Sequence, residues 1–443
     1  MNNHASEYIK KVLEQIKFIK VHNSISEELH NHILELTEDL IAKGMDEEVA
    51  YKEAVLQMGD PVEVGKRLHK THKPKPEWSI LILLAMLVGF GFYIIYFYST
   101  FYSVPETFRR QLIFGLLGLP VLLAFYFFDY TRFEKYTPFA YYFTCVLMFA
   151  AIIFVGSQRN GRAYINIGDI GFSPSFAAIP ILLISYAGLV KRWCDGKMIN
   201  LMKLIFSAWL PLLAILMEPS LVNFFIVGTG LLAMITCGIC TNSKYRANRN
   251  KTILLMYICL FFIGLLLFIH YFVLRPWKMD RLTMFLHPER DPLGEGWIYT
   301  ILGDIFNSAK LIGGGSSFLD SRGKAVNLLP CANSEYILTF VIGSLGWIFG
   351  IALIVFLSLI VLRLFITAGK INNTFGKYIC VGVCCIFSLQ VILNVLMALR
   401  LIPVLGVSLP FISAGGTTYL LNMVLIGLFL GIYRRKDLVS FQR

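Results

Sequence analysis

The chain has 443 residues, of which 56% are hydrophobic and only 15% charged, with a formal charge of +12. This balance leaves too little polar surface for a water-soluble globule, and the apolar residues gather in runs of about 20, the length that crosses a bilayer. The positive charge does not mark a nucleic-acid binder, because the basic residues sit in short clusters between apolar runs, where they orient helices.

Residues 1–75 predict a small soluble helical domain. Ile9, Val12, Leu13, Ile16 and Ile19 share one helical face, as do Leu29, Ile33, Leu36 and Leu40. Ser24 with Glu27 reads as a capping box, Gly44 as a helix stop, and Asp60-Pro61 as an N-cap followed by proline at the first helical position. Residues before Lys75 contain no apolar stretch of the signal-peptide kind, so the first membrane helix is expected to direct insertion. The Lys-, His- and Pro-rich stretch from Lys70 to Pro76 reads as a linker.

Residues 76–443 predict an all-α, polytopic membrane domain of about ten transmembrane helices, centred near Leu87, Leu119, Met148, Leu183, Leu210, Leu231, Leu260, Val355, Val391 and Val424. An even number puts both termini on one side. The clusters Arg132/Lys135, Lys191/Arg192/Lys197, Lys244/Arg246/Arg249/Lys251, Lys370/Lys377 and Arg434/Arg435/Lys436 fall on that side, which the positive-inside rule makes the cytoplasm. The other side receives one long segment, about 274–333, too aromatic and apolar for a disordered linker, and the chemistry is expected beside it. Cys237, Cys240, Cys384 and Cys385 lie in apolar runs with no His or carboxylate at ligand spacing, so they read as small core residues and no metal site is expected. Gly313-Gly314-Gly315 lacks the Lys-Ser/Thr of a phosphate-binding loop, so no nucleotide is expected there.

Ionisable residues at membrane depth are costly and mark candidate sites. Glu218 before Pro219, Arg400 near the end of the ninth span, and Glu335 at the start of the eighth qualify. For Glu218 and Arg400, ion pairing or snorkelling is an equal alternative.

Several segments together resemble the SEDS family of bacterial cell-wall polymerases. Phe285-Leu286-His287-Pro288-Glu289-Arg290-Asp291-Pro292-Leu293-Gly294-Glu295-Gly296 is similar to the family's phenylalanine followed by DPE-x-DP-x-G-x-G. Leu329-Pro330 leading to Asn333-Ser334-Glu335-Tyr336-Ile337 looks like LPE-x-HTDFIF. Asn160-Gly161-Arg162 and Phe172-Ser173-Pro174-Ser175 resemble NGARRWI and FQPSEF. Leu401 to Gly416, preceded by Gln390 and Asn394, closely resembles LPVTGVPLPFVSYGG, and Glu218-Pro219-Ser220-Leu221 is a weaker echo of QPDLG. The resemblance spans about Trp78 to Arg435.

It implies a peptidoglycan glycosyltransferase that polymerises lipid II at the outer face of the bacterial cytoplasmic membrane, working with a class B penicillin-binding protein. The family's catalytic aspartate falls on Glu335, with Ser334 and Asn333 in place of its threonine and histidine. The extra methylene matters, since moving a catalytic group by about 1 Å can cost on the order of 10²-fold in rate. The resemblance makes Arg162, Arg281, Glu218, Glu289, Asp291, Ser334 and Ser413 the substrate-binding candidates. Cys331, Ser220 and Phe176 replace three acidic residues of the family pattern. The departing diphosphate needs basic groups, backbone N–H donors or a divalent cation such as Mg2+ or Mn2+. A flippase for lipid-linked precursors, and a non-catalytic scaffold for the penicillin-binding protein, are the alternatives. The amino-terminal domain is expected to dock a cytoplasmic partner or act in membrane-surface regulation.

Overall fold

A computed structural model describes residues 3–17, 22–72, 75–154, 157–159, 162–167, 170–218, 220–273, 277–294, 296–318 and 329–436. It contains two compact units, one formed by the amino-terminal helices together with the chain end from Tyr433, the other by Glu77–Ile432.

The smaller unit consists of α1 (Asn3–Glu14), α2 (His22–Ala42), α3 (Glu47–Gln57) and α4 (Pro61–His72). Its core holds Ile9, Val12, Ile16, Leu29, Ile33 and Leu40, with Leu13 and Leu36 packed at the margin, as the 3.6-residue pattern predicts. Ile19 lies outside the described residues. Gly44 ends the α2 region at φ 92°, a conformation open to glycine, and Asp60 Oδ2 accepts the Glu63 N–H (3.1 Å) to cap α4. The expected capping box is displaced: α2 begins at His22, so Ser24 lies within its first turn rather than before it. There His22 Nε2 sits 2.7 Å from the Ile16 carbonyl oxygen.

The larger unit runs through α5 (Trp78–Phe101), α6 (Pro105–Phe127), α7 (Thr137–Phe154), α8 (Pro174–Trp193), α9 (Met198–Met217), α10 (Leu221–Thr241), α11 (Arg249–Val273), α12 (Trp277–Leu286), α13 (Trp297–Ser308), α14 (Ile337–Leu345), α15 (Trp347–Gly369), α16 (Thr374–Ala398) and α17 (Gly416–Arg434). Among the described residues, nine helices of 19 to 25 residues are apolar enough to cross a bilayer. The remaining expected span, near Leu260, falls on α11, whose 25 residues are likewise long enough. The chain is a multi-pass membrane protein. In the most apolar window of each helix, 78% of α8 and 72% of α17 is buried, against 17% of α6. The first two are therefore central, while α6 turns Leu116 and Leu119 outward to lipid.

Two details add to the expected pattern of long spans. Between α7 and α8 the backbone forms three short antiparallel strands, β1 (Ser157–Arg159), β2 (Arg162–Ile167) and β3 (Ile170–Phe172), with Gln158 opposite Ala163 and Asn166 opposite Gly171. The alternation Ala163-Tyr164-Ile165-Asn166-Ile167 has the period of two that suits a hairpin.

Glu335, moreover, does not open the eighth span. Between them lies α14, nine residues long and buried over its first eight, which at about 1.5 Å per residue is too short to cross the membrane. The break comes at Gly346 (φ 109°), where a Cβ would lie 2.6 Å from the Leu311 carbonyl oxygen. The segment around the three glycines runs alongside: Gly313 N–H donates to Leu345 O (2.8 Å), Gly315 N–H to Gly343 O (2.8 Å) and Trp347 N–H to Lys310 O (3.0 Å). The N–H groups of Gly313 and Gly315 thus bond protein carbonyls instead of facing an anion.

Candidate functional site

The site is built on polar residues that interrupt apolar helices. Gln390 and Asn394 lie one turn apart on α16, so they share a face of a largely apolar helix. Both are buried. The Asn394 amide donates to the Glu335 carbonyl oxygen (2.8 Å) and to the Val407 carbonyl oxygen (2.5 Å). Ser413 Oγ donates to the Ser334 carbonyl oxygen (2.6 Å) while accepting the Leu409 N–H (2.8 Å). Ala414 N–H completes the set by donating to the Asn333 carbonyl oxygen (2.8 Å). Three consecutive carbonyls, at Asn333, Ser334 and Glu335, are therefore pinned from α16 and from the loop that follows it. Below them, Ser334 and Tyr336 both donate their N–H to Cys331 O (2.9 and 3.2 Å), closing a tight turn.

Both this turn and the loop after α16 hold strained backbone. Cys331 (φ 52°), Arg400 (φ 60°) and Phe411 (φ 64°) all occupy the left-handed region without being glycine. Each such residue costs of order 1–3 kcal/mol, which the surrounding bonds must offset. Packing helps at Phe411, whose ring meets Phe387 and Tyr419 with centroids 5.9 Å away in both cases. α5 also presses on this loop, since a Cβ on Gly91 would lie 2.4 Å from the Phe411 carbonyl oxygen. The Glu335 residue itself is half-buried. Although Cys331 is exposed, desolvation by the atoms packed around its sulfur, and secondarily the Glu335 carboxylate, push its thiol above its ordinary range, so it stays protonated at neutral pH.

On the other side of residues 406–408 lies a cavity of about 100 Å³, lined in part by Ser173, Phe176, Glu218, Ser220, Gln390 and Val407. Ser173 Oγ donates to Glu218 Oε1 (2.8 Å), and Glu218 is only 1% exposed. Gln390 is 2% exposed, yet neither atom of its amide has a hydrogen-bond partner. Phe176 and Ser220, two of the neutral replacements, thus share one cavity, and among its described lining residues Glu218 alone is acidic. Val407 joins the two halves of the site, lining the cavity and accepting from the Asn394 amide that holds Glu335.

Of the residues predicted from sequence, Ser334, Glu335 and Ser413 come together, and Glu218 lies in the adjoining cavity. Glu289 and Asp291 do not join them: both are exposed and serve their own loop. Asp291 Oδ1 accepts the Gly294 N–H (3.0 Å). Glu289 lies 3.1 Å from His287 Nδ1, and its own backbone N–H, then His287, hold its carboxyl below the usual range. That loop is tied back through Phe285, whose ring packs edge-on to Tyr299 (5.6 Å), and Tyr299 OH accepts the Val404 N–H (3.2 Å). Arg162 opens β2 and Arg281 lies in α12, but their side chains fall outside the described residues. Arg400 sits against α13, where a Cβ on Gly303 would come within 2.5 Å of its Nη1. Among the described residues no three His, Cys, Asp or Glu side chains converge.

Sequence reasoning noted Asn394 and Gln390 only as motif matches and missed their roles as clamp and cavity wall. The available signal was a pair of amides four residues apart in an apolar run.

These features define a polytopic membrane protein whose helix bundle encloses a polar cavity and pins a carboxylate-bearing turn beside it. The profile of the cell cycle protein family of FtsW, RodA and SpoVE matches residues 77–438, and the chain belongs to that family. Stage V sporulation protein E of Bacillus subtilis is 25% identical over 385 residues, covering 82% of this chain and 98% of that protein. Peptidoglycan glycosyltransferase MrdB of Escherichia coli is 24% identical, covering 82% of this chain and 94% of its own. Among solved structures, a chain from a peptidoglycan synthase complex superposes with a TM-score of 0.64 at 20% identity, covering 82% of this chain and 98% of that one. The rod shape determining protein RodA of Thermus thermophilus gives 0.58 at 18% identity, covering 82% of this chain and 97% of that one.

Proposed function

We propose that this protein is a peptidoglycan glycosyltransferase that polymerises lipid II, with Glu335 as general base. The observation that carries the assignment of the base is the pinning of three successive carbonyls, Asn333 to Glu335, which leaves the half-buried Glu335 side chain on a backbone with little freedom. A sugar hydroxyl of one substrate attacks the anomeric carbon of another. Its proton passes to the Glu335 carboxylate as the new C–O bond forms, and the bond to the polyprenyl diphosphate breaks. Fixing the base beforehand supplies the orientation that a bimolecular reaction in solution lacks. The family membership and the curated relatives that carry this activity in their names support the reading.

An apolar groove of about 330 Å³ between α9, α10 and α11, lined by Trp209, Phe224, Phe225 and Tyr257 among others, suits a polyprenyl tail. The basic clusters, by the positive-inside rule, support a topology with both termini in the cytoplasm and the Glu335 turn at the outer face. A class B penicillin-binding protein is the partner, a reading supported by the likeness to a chain from a peptidoglycan synthase complex.

The deciding experiment is polymerisation of purified lipid II by the reconstituted protein, with and without its transpeptidase, in wild type, Glu335→Gln and Glu335→Asp. Glycan chains from wild type that vanish in Glu335→Gln support glutamate as base. Chains from Glu335→Asp alone would mean that the longer arm has detuned the site, and chains undiminished in Glu335→Gln would remove Glu335 from the chemistry.

A further inference from the structure

The acidic residues of this basic chain are unevenly placed. Between Ser24 and Glu63 stand eleven carboxylates and two lysines, a net charge of −9 within a chain of +12. The same stretch exposes large apolar side chains. Along α3, Ala50 and Ala54 face the core, whereas Val49 is 56% and Leu56 72% exposed. These two are seven residues apart, hence on one side of the helix and about 10 Å apart along its axis. Ile41 (42% exposed) and Met45 (41%) are also exposed, at the corner where α2 ends and Asp46 precedes α3. Asp46, Glu47 and Glu48 are exposed beside it.

We propose that α3 and this corner form a docking surface for a basic amphipathic helix, the cytoplasmic juxtamembrane segment of a second membrane protein. The charge pattern selects this occupant. An anionic inner leaflet repels the surface, and a helix that lies on lipid carries Lys and Arg on its polar face, where α3 carries Glu47, Glu48 and Glu53 against Lys52. A second copy of the chain would set two acidic surfaces against each other. A basic amphipathic helix satisfies both halves, its apolar residues at i, i+3/i+4 and i+7 covering Val49 and Leu56 and its flanking cations meeting the carboxylates. Cytoplasmic segments next to membrane spans are enriched in Lys and Arg, and only a short stretch of chain separates α4 from the first membrane helix, α5. The inference rests on the cytoplasmic orientation of the amino terminus but not on Glu335 or the polymerase reaction.

The test places a photoreactive residue at Val49 or Leu56 of the full-length protein in the cells that make it, with Lys10 as an exposed control, and sequences whatever peptide becomes attached. A membrane-impermeant label on Lys10→Cys reads the orientation separately. The expected result is attachment from Val49 and Leu56, and not from Lys10, to one juxtamembrane peptide rich in Lys and Arg with apolar residues at helical spacing. Combined Glu47→Gln, Glu48→Gln and Glu53→Gln substitutions should lower the yield about tenfold, since three opposed charges are lost. Attachment to lipid, to another copy, to this chain's own segments or to a non-basic peptide would overturn the proposal. So would no adduct from either position in protein accumulated to the wild-type level, or a yield indifferent to the three substitutions.

Discussion

Asn394→Ala tests whether the clamp serves catalysis or only stability. The substitution withdraws the donor from two carbonyl oxygens, at Glu335 and Val407, and Asn394 is itself fully buried. Leaving a buried acceptor unpaired costs about 1–3 kcal/mol, and because the Glu335 end is only half-buried and open to water, we expect a total near 2 kcal/mol. The functional effect should be larger. Freed from its donor, the Glu335 backbone can shift by about 1 Å, enough for a loss on the order of 10²-fold in turnover. The control is Thr339→Val, which removes another buried bond, from Thr339 Oγ1 to Ala398 O (3.1 Å), for about 1 kcal/mol without touching the three pinned carbonyls. Lipid II polymerisation and thermal unfolding would be measured on both variants. Asn394→Ala should lose turnover far beyond its loss of stability, whereas Thr339→Val should lose stability and keep turnover within a few-fold. Equal losses of activity in the two, or an Asn394→Ala enzyme within threefold of wild type, would refute the positioning argument.

Three further outcomes follow from the geometry. Gly91→Ala would drive a Cβ to 2.4 Å from a backbone oxygen and should destabilise by about 1–3 kcal/mol, whereas Gly89→Ala, two residues away with nothing within 4 Å, should be neutral or slightly stabilising in detergent unfolding. Gln390→Leu removes a buried amide with no partner and should raise thermal stability while lowering polymerisation, the trade-off expected of a residue kept for the cavity rather than for packing. Cys331 is exposed but its thiol is raised in pKa, so maleimide labelling should be slow at neutral pH and quicken as pH rises through that higher value. Desolvation by neighbouring atoms is the larger cause, so Glu335→Gln should speed labelling only in part; an unchanged rate would separate the two side chains.

The spans were legible because membrane insertion depends on the length and polarity of a local run, both one-dimensional properties. The same is true of Asp60 and Gly44, whose capping depends on residues one turn away. The hydropathy signal failed from Ile337 to Gly369, where α14 and α15 are equally apolar and only the positive φ of Gly346 divides them. It also missed the strands between α7 and α8, which are too short for their alternation to outweigh the surrounding helices.

The site divides in the same way. Glu335, Ser334 and Ser413 could be picked out by motif, and Glu218 by its charge in an apolar stretch. Their relations could not, since Asn394 reaches Glu335 across 59 positions and Ser413 reaches Ser334 across 79. Nor does spacing indicate that Glu289 and Asp291 spend their carboxylates on their own loop.

By itself the sequence determined that this is a multi-span membrane protein with a helical amino-terminal unit, because apolar run length and helical periodicity act locally against bilayer and water. Only the tertiary structure decided that the turn ending in Glu335 is pinned at three successive carbonyls and that Glu218, Phe176 and Ser220 line one cavity. Those facts depend on helices distant in sequence meeting where water is scarce, so that each buried carbonyl must find its donor within the protein.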